Sequence, residues 1–582
     1  MPENRRIPTQ QATDLPDFKI LSDGTEVSKA YQVLSIVVTK EVNRISTAKI
    51  AFRDGSPAEE DFPISNSDEF VPGKAIEIQA GYHGEQELIF KGIVVKNNLR
   101  ARRNRPSMFE VFCTDEAVKM TVGRKNKYFY ESADSDIINE IASGVGLETE
   151  VEDTSVTHQS MVQYFSTDWD FIVSRAEANG KLVFTDDNKL VVKEADLSES
   201  PVLSLLYGGN IISFESEMDS RDQFAGVTAS SWDKANQKTV ESESETFAGE
   251  LPGNIDPGAL ADVIGLDSFR LSHGGSISDA ELQAWANAQN RKIKISKIKG
   301  RIQIQGFTGV KPGQMAEIGG MGDRFNGNAY ISAVRHEINA SNWITNLGLG
   351  ISRKWFAEEA PDIMDVQAAG MLPAVDGLQV GIVTALEGDP EGEFRVQVRM
   401  PLIDQSEGVW ARVALLDAGD SRGSFFRPEI GDEVVLGFLN DDPRNPVILG
   451  MLHSSAKPSP VTPADDNHEK GFVTRSEMKL MFDDDKKIIT IETPNGNKIT
   501  ISDEDGKIEL TDENNNKMTM DSSGVLMESA SDIVIKSTGD VNIEGTNVNV
   551  KANAQLKAEG SAGAEVSSGG MTEIKGSLVK IN

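Results

Sequence analysis

The chain carries one cysteine in 582 residues, Cys113. That excludes an intrachain disulfide and a thiolate metal site. Cys113 lies in the alternating run Met108-Phe109-Glu110-Val111-Phe112-Cys113, where a buried structural thiol is expected. No apolar run reaches the roughly 18 residues that cross a bilayer. Met1 to Phe18 is polar, broken by Pro2, Pro8 and Pro16, and has no apolar stretch. No secretory signal and synthesis in the cytoplasm are therefore expected. The histidines (His83, His158, His273, His336, His453 and His468) show neither H-x-H nor H-E-x-x-H spacing, so no metal or cofactor is expected. Aromatics make up 6% of the chain and stop at Phe482. Positive charge is also scarce: 58 Lys and Arg against 91 Asp and Glu give a net charge of −33. Such a field repels nucleic acid, which is bound through clustered cations, and anionic membrane surfaces. The exception is Arg100, Arg102, Arg103 and Arg105, read as a charged hairpin tip rather than a binding patch.

What is present is mainly β and multidomain. A chain of this length predicts several domains at roughly 100–200 residues each. Residues 1–105 hold short apolar or alternating runs (Val33 to Val38, Ala48 to Phe52, Ala75 to Ala80, Leu88 to Val95) at the spacing of a small barrel. Residues 106–355 add helical signals to strands. One helix carries Ile137, Ile138, Ile141 and Ala142 on one face, and a second from Asp168 carries Trp169, Ile172, Val173 and Ala176. A third opens with the capping box Ser278-Asp279-Ala280-Glu281 and is expected to bury Leu282, Trp285 and Ala288. Residues 356–377 read as a connector. In 378–453, five short strands separated by Gly-Asp-Pro and Asp-Asp-Pro-Arg-Asn-Pro turns predict a small closed barrel of the OB type. Residues 454–477, with Pro458, Pro460 and Pro463, read as a linker.

Residues 478–582 are a short repeat. Apolar residues come as i, i+2 pairs from Ile489/Ile491 through Ile499/Ile501, Ile508/Leu510, Met518/Met520 and Val525/Met527 to Leu556/Ala558. Successive pairs start 10, 9, 10, 7, 8, 8, 7 and 8 residues apart, with Gly, Asn, Asp, Ser and Thr between them. A unit this short cannot bury its apolar face alone, so units must stack. Nor can it close a tube around one chain. Three chains, each giving one side per repeat, solve the closure and remove lateral sheet edges. Stacking at about 4.8 Å per strand gives a needle on the order of 55–60 Å long.

These residues resemble a known family. The chain is similar to the VgrG spike proteins of type VI secretion systems and to the hub-and-spike proteins of contractile phage tails and extracellular injection particles. The resemblance is carried by Thr167-Asp168-Trp169-Asp170-Phe171 with Arg175-Ala176-Glu177-Ala178-Asn179-Gly180, and by Val310-Lys311-Pro312-Gly313-Gln314 with Val334-Arg335-His336. In the barrel it rests on Val409-Trp410-Ala411-Arg412-Val413 and Pro428-Glu429-Ile430-Gly431-Asp432-Glu433-Val434. The most specific stretch runs Gly437-Phe438-Leu439-Asn440-Asp441-Asp442-Pro443-Arg444-Asn445-Pro446. The resemblance implies a homotrimeric, non-enzymatic spike. Residues 1–355 form a hub on the inner tube at the baseplate, the OB-like barrel a collar, and the C-terminal intertwined β-helix a point driven through a target membrane on sheath contraction. It also implies a PAAR-like protein capping the exposed strand ends at Lys580, Ile581 and Asn582. The collar-to-needle junction is too short for an inserted lysozyme domain, and the repeat runs to the last residue, so no effector domain is expected after it. The particle carrying it is expected to be released extracellularly or fired into a target cell.

The competing reading is a trimeric β-helix tailspike or adhesin that binds or cleaves polysaccharide. Its acid and base would come from Asp483 to Asp485 or from Asp503-Glu504-Asp505. Against it, residues 483–582 contain no Phe, Tyr or Trp to serve as a sugar platform, and these acids are expected in turns.

Overall fold

The computed structural model describes residues 7–11, 14–103, 105–360, 362–406 and 408–581. The chain divides into two compact units, Met1–Asp376 with Phe438–Pro443, and Gly377–Gly437 with Arg444–Asn582.

The first unit is built on a 13-stranded sheet. In its N-terminal part Gln32–Glu41, Thr47–Arg53, Arg105–Thr114, Glu85–Arg102, Ala75–Tyr82 and Asp17–Ser22 follow one another across the sheet. Alternation puts Ile36, Ile50, Phe52, Ile76, Ile78, Phe90 and Phe109 on the inner face, where they form one core with Phe70 and Trp343. Gly327–Ile338 pairs with Gln32–Glu41, His336 standing opposite Val38. That pairing joins a second set of strands, with a core of Leu205, Ile302, Ile304, Ile318, Ile331 and Leu347. Cys113 is buried in the first core, and loss of solvation pushes its thiol up to about 12, so it is an inert packing group.

Four helices of two turns or more, with the single turn Phe356–Glu359, pack around these strands among the described residues. In α1 (Asp134–Gly144) and α2 (Asp168–Ala178) the predicted apolar stripes meet: Ile137, Ile138 and Ile141 share a core with Trp169, Phe171 and Ile172. Thr167 caps α2 by accepting from Asp170 N at 3.1 Å. A third helix, α3 (Pro257–Ile264), went unpredicted. Its start is set by Asp256 at the N-cap and Pro257 in the first turn, and its end by Gly265 in the left-handed region (φ 70°). Eight residues give too little periodicity to stand out. In α4 (Asp279–Ile295) Ser278 Oγ accepts from Glu281 N, as the capping box predicts, and Leu282 and Ala288 are buried while Trp285 is half-buried.

In the second unit Gln379–Ala385, Val396–Arg399, Val409–Val413, Pro446–Met451 and Glu433–Phe438 close a five-stranded barrel. The closure depends on one parallel pair, Arg412 opposite Val447. Inside are Val383, Val396, Val398, Ala411, Val434, Leu436 and Ile448, branched side chains sized for a narrow barrel.

The C-terminal segment differs from expectation in two respects. Its sheet begins at Glu469–Val473, inside the stretch read as a linker, because that strand pairs with Lys479–Asp483. Moreover, seven successive strands through Gly524–Glu528 pair antiparallel within the chain, as a meander. Among the described residues from 529 to 581 no strand pairs within the chain. The pair spacing shortens nearby: apolar pairs start 9 or 10 residues apart up to Met518 and 7 or 8 apart beyond it. The first seven-residue step still pairs within the chain, Lys517–Asp521 and Gly524–Glu528 being joined by the two-residue turn Ser522-Ser523, so the shorter spacing does not by itself end the meander.

Candidate functional site

In the meander, register turns the i, i+2 pairs into two continuous apolar columns. Ile489 stands opposite Ile501, Ile501 opposite Ile508, Ile508 opposite Met520, and Met520 opposite Val525. Beside them run Phe472, Leu480, Ile491, Ile499, Leu510, Met518 and Met527. Because side chains alternate, all of these share one face of the sheet. The opposite face carries Thr490, Thr500, Glu509 and Thr519 in register. Apart from Phe472, on which Phe426 stacks, this apolar face is open among the described residues: Ile491 is 47% exposed and Ile501 43%. An apolar stripe this long is an association surface.

Charge and turn chemistry hold the strands in place. Glu509 receives Lys517 at 2.7 Å and Lys507 at 3.2 Å, and the Lys517 hydrogen bond above all keeps its carboxyl below the usual range. Of the acids weighed as glycan-cleaving groups, Asp484, Asp485, Asp503, Glu504 and Asp505 sit in turns and Asp483 ends a strand. Asp483 Oδ1 accepts from Asp485 N and Lys486 N, and Asp505 N donates to Ser502 Oγ at 2.9 Å. Asp512 closes its turn likewise, taking Asn514 N and Asn516 N. Lys580 and Ile581 at the C-terminal end are exposed, and Asn582 lies outside the described residues.

In the first unit, side chains from distant positions converge on three clusters that sequence spacing did not reveal. Asp134, buried at the start of α1, takes a bidentate contact from Arg175 (2.7 and 2.9 Å), His158 Nε2 at 2.9 Å and Asn179 Nδ2 at 2.8 Å. Burial pushes the Asp134 carboxyl up, but the Arg175 guanidinium outweighs it and the net position is below the usual range. Glu177 is buried against Lys292 and accepts from Phe356 N at 2.6 Å. Arg124 donates to the carbonyls of Ile363 (3.2 Å), Met364 (3.0 Å) and Phe165 (2.9 Å), pinning the start of the connector. Each cluster crosslinks elements. None places a hydroxyl or thiol nucleophile in the hydrogen bonds described. At Asp134 the signal missed was an acid in the first turn of a helix.

The Arg tip is where the sequence put it. Arg102 and Arg105 pair across the turn of the hairpin Glu85–Arg102 and Arg105–Thr114. Arg100 reaches the buried Glu110 at 2.9 Å, and Arg102, Arg103 and Arg105 are exposed.

The second unit is thus a closed five-stranded barrel followed by a β-meander with an open apolar face, and comparison with known proteins finds a family match for each part. Residues 379–453 match the type VI secretion system/phage-baseplate injector OB domain, and residues 488–557 the phage baseplate V C-terminal trimerisation domain. Residues 12–340, more than half of the chain, match the Alg8 N-terminal domain, and the chain belongs to that family. Among curated relatives, the type VI secretion system spike protein VgrG1a of Pseudomonas aeruginosa is 27% identical over 203 residues, 32% of this chain and 31% of that protein. Spike protein VgrG3 of Vibrio cholerae is 32% identical over 113 residues, 18% of this chain and 11% of that protein. The chain thus spans less than a third of the length of these relatives. Among solved structures, the 43 kDa tail protein of prophage MuSo2 from Shewanella oneidensis aligns at a TM-score of 0.43 and 13% identity, over 57% of this chain and 98% of that one.

Proposed function

We propose that the chain is the spike subunit of a contractile injection machine: a homotrimer that docks on the inner tube at the baseplate and is driven point-first through a target membrane. The observation that carries this reading is the open apolar face on Leu480 to Met527, overlapping the match to a trimerisation domain. Three such sheets packed face to face make a closed prism with a dry interior. Beyond 529, strands without in-chain partners find them on the neighbouring chains, which intertwines the point. A tube hydrogen-bonded along its whole length is stiff, because bending breaks many bonds together. The role is mechanical rather than catalytic: the needle's acids serve turn N–H groups, and the buried Asp134 and Glu177 serve Arg175 and Lys292.

In this reading residues 1–355 are the hub, 378–453 the collar, and a PAAR-like cone covers the strand ends at Lys580, Ile581 and Asn582. Electron microscopy of the purified protein tests it. A threefold particle with a broad ring and a thin point is expected. A thick-stemmed fibre, or polysaccharide hydrolysis by the purified chain, would sink it.

A further inference from the structure

The collar loop 414–432 folds into a small hairpin. Ala418–Gly419 pairs with Arg422–Gly423, and Ser424 N donates to Asp417 O at 2.9 Å. Continued one step, this ladder sets Leu416 across from Phe425. Successive side chains alternate in an extended strand, so Phe426 points to the opposite face.

The two faces meet different surroundings. Phe426 stacks on Phe472 with ring centroids 5.2 Å apart and planes at 13°. Phe472 heads one of the needle's apolar columns, so this face of the hairpin is seated on the needle root of its own chain. The other face is bare, with Leu416 93% and Phe425 84% exposed. Large apolar side chains so exposed, paired across a hairpin, mark a contact site.

We propose that Leu416 and Phe425 seat against an adjacent copy of this chain, carrying the three-copy interface from the needle up into the collar. The inference rests on the trimer reading above. Continuity argues for a second copy: the back of this hairpin extends the apolar column that meets the other copies. Symmetry argues for the same occupant. A cyclic trimer repeats a heterologous contact, in which two different surfaces of one chain meet on neighbours. A hairpin with one face on its own needle and the other bare provides such a surface. Leu402 is as exposed (95%), but its loop follows Val396–Arg399 at the other end of the barrel, away from the needle root. It serves as the control.

Three measurements on the full chain test this. Hydrogen exchange of the wild-type trimer should show 414–428 protected, and the L416D/F425D variant should lose that protection at least tenfold. The variant's dissociation midpoint in denaturant should fall, with Leu402→Asp unchanged. Phe425→p-benzoylphenylalanine should give a chain-to-chain adduct on irradiation. A trimeric wild type with 414–428 unprotected overturns the proposal and leaves the trimer reading intact. So does an adduct only within one chain or only to another protein of the particle. A wild type monomeric by native mass spectrometry overturns both.

Discussion

His336 is neutral at any pH the protein meets under mild conditions. It is buried 5.7 Å from the Trp343 ring and hydrogen-bonded with Thr345 Oγ1 at 3.0 Å. Burial lowers its pKa from 6.5 to about 3, and the nearby Lys40 ammonium adds to the shift. A group whose protonated form is disfavoured in the fold contributes stability above its unfolded pKa and loses it below. The first unit should therefore be unaffected by His336 above pH 6.5 and weaken as pH falls from 6.5 towards 3, by about 1.4 kcal/mol per pH unit. Urea titrations at pH 7, 5 and 4 check this, and His336→Phe should flatten the dependence. Asp134 is a different case, a buried acid held by the half-buried Arg175 guanidinium, which also contacts Glu281 at 3.1 Å. Asp134→Ala leaves Arg175 with Glu281 alone as acidic partner among the described residues and should cost about 3 kcal/mol, whereas an exposed control such as Asp503→Ala should shift the midpoint little.

At the scale of elements, α1, α2 and α4 were legible from amphipathic stripes, with a capping signal in addition at Ser278. Ser278→Ala should lower the stability of the first unit by about 1 kcal/mol, read from the thermal midpoint. The needle strands were legible because i, i+2 pairs between turn formers leave no helical alternative. The direction of pairing was not. In-chain pairing ends after Gly524–Glu528, one strand beyond the point where the pair spacing shortens from nine or ten residues to seven or eight, so the spacing alone does not encode it. Ile501→Asp places a carboxylate in the shared apolar column. It should abolish the trimer by native mass spectrometry while the hub still folds by far-ultraviolet circular dichroism. If that variant stays trimeric, the apolar columns are not the interface.

For the whole molecule, three copies at −33 each repel one another, and the interface must overcome that field. Salt at 0.1 M largely screens repulsion between exposed charges more than about 10 Å apart. The trimer should therefore tighten between 20 and 300 mM NaCl at pH 7.5, as sedimentation at micromolar protein would report; loosening would mean that opposite-charge contacts dominate the interface. Deleting residues 575–582 should leave the trimer intact and remove affinity for a PAAR-like cone.

The sequence by itself determined the five strands and turns of the closed barrel, the turn-punctuated repeat and the exclusion of intrachain disulfide and thiolate-metal chemistry. All of these are local: they depend on residue type and spacing over a few tens of residues. Only the tertiary structure decided which residues meet across the chain. It brought Arg175 from one helix to Asp134 at the start of another, Arg124 to the connector carbonyls, and Phe426 of the collar to Phe472 at the needle root. It also decided that the apolar columns lie on one face and, beyond Phe472, stay open. Such contacts join residues dozens to hundreds of positions apart, and their partners are chosen by packing geometry, which no periodicity along the chain records.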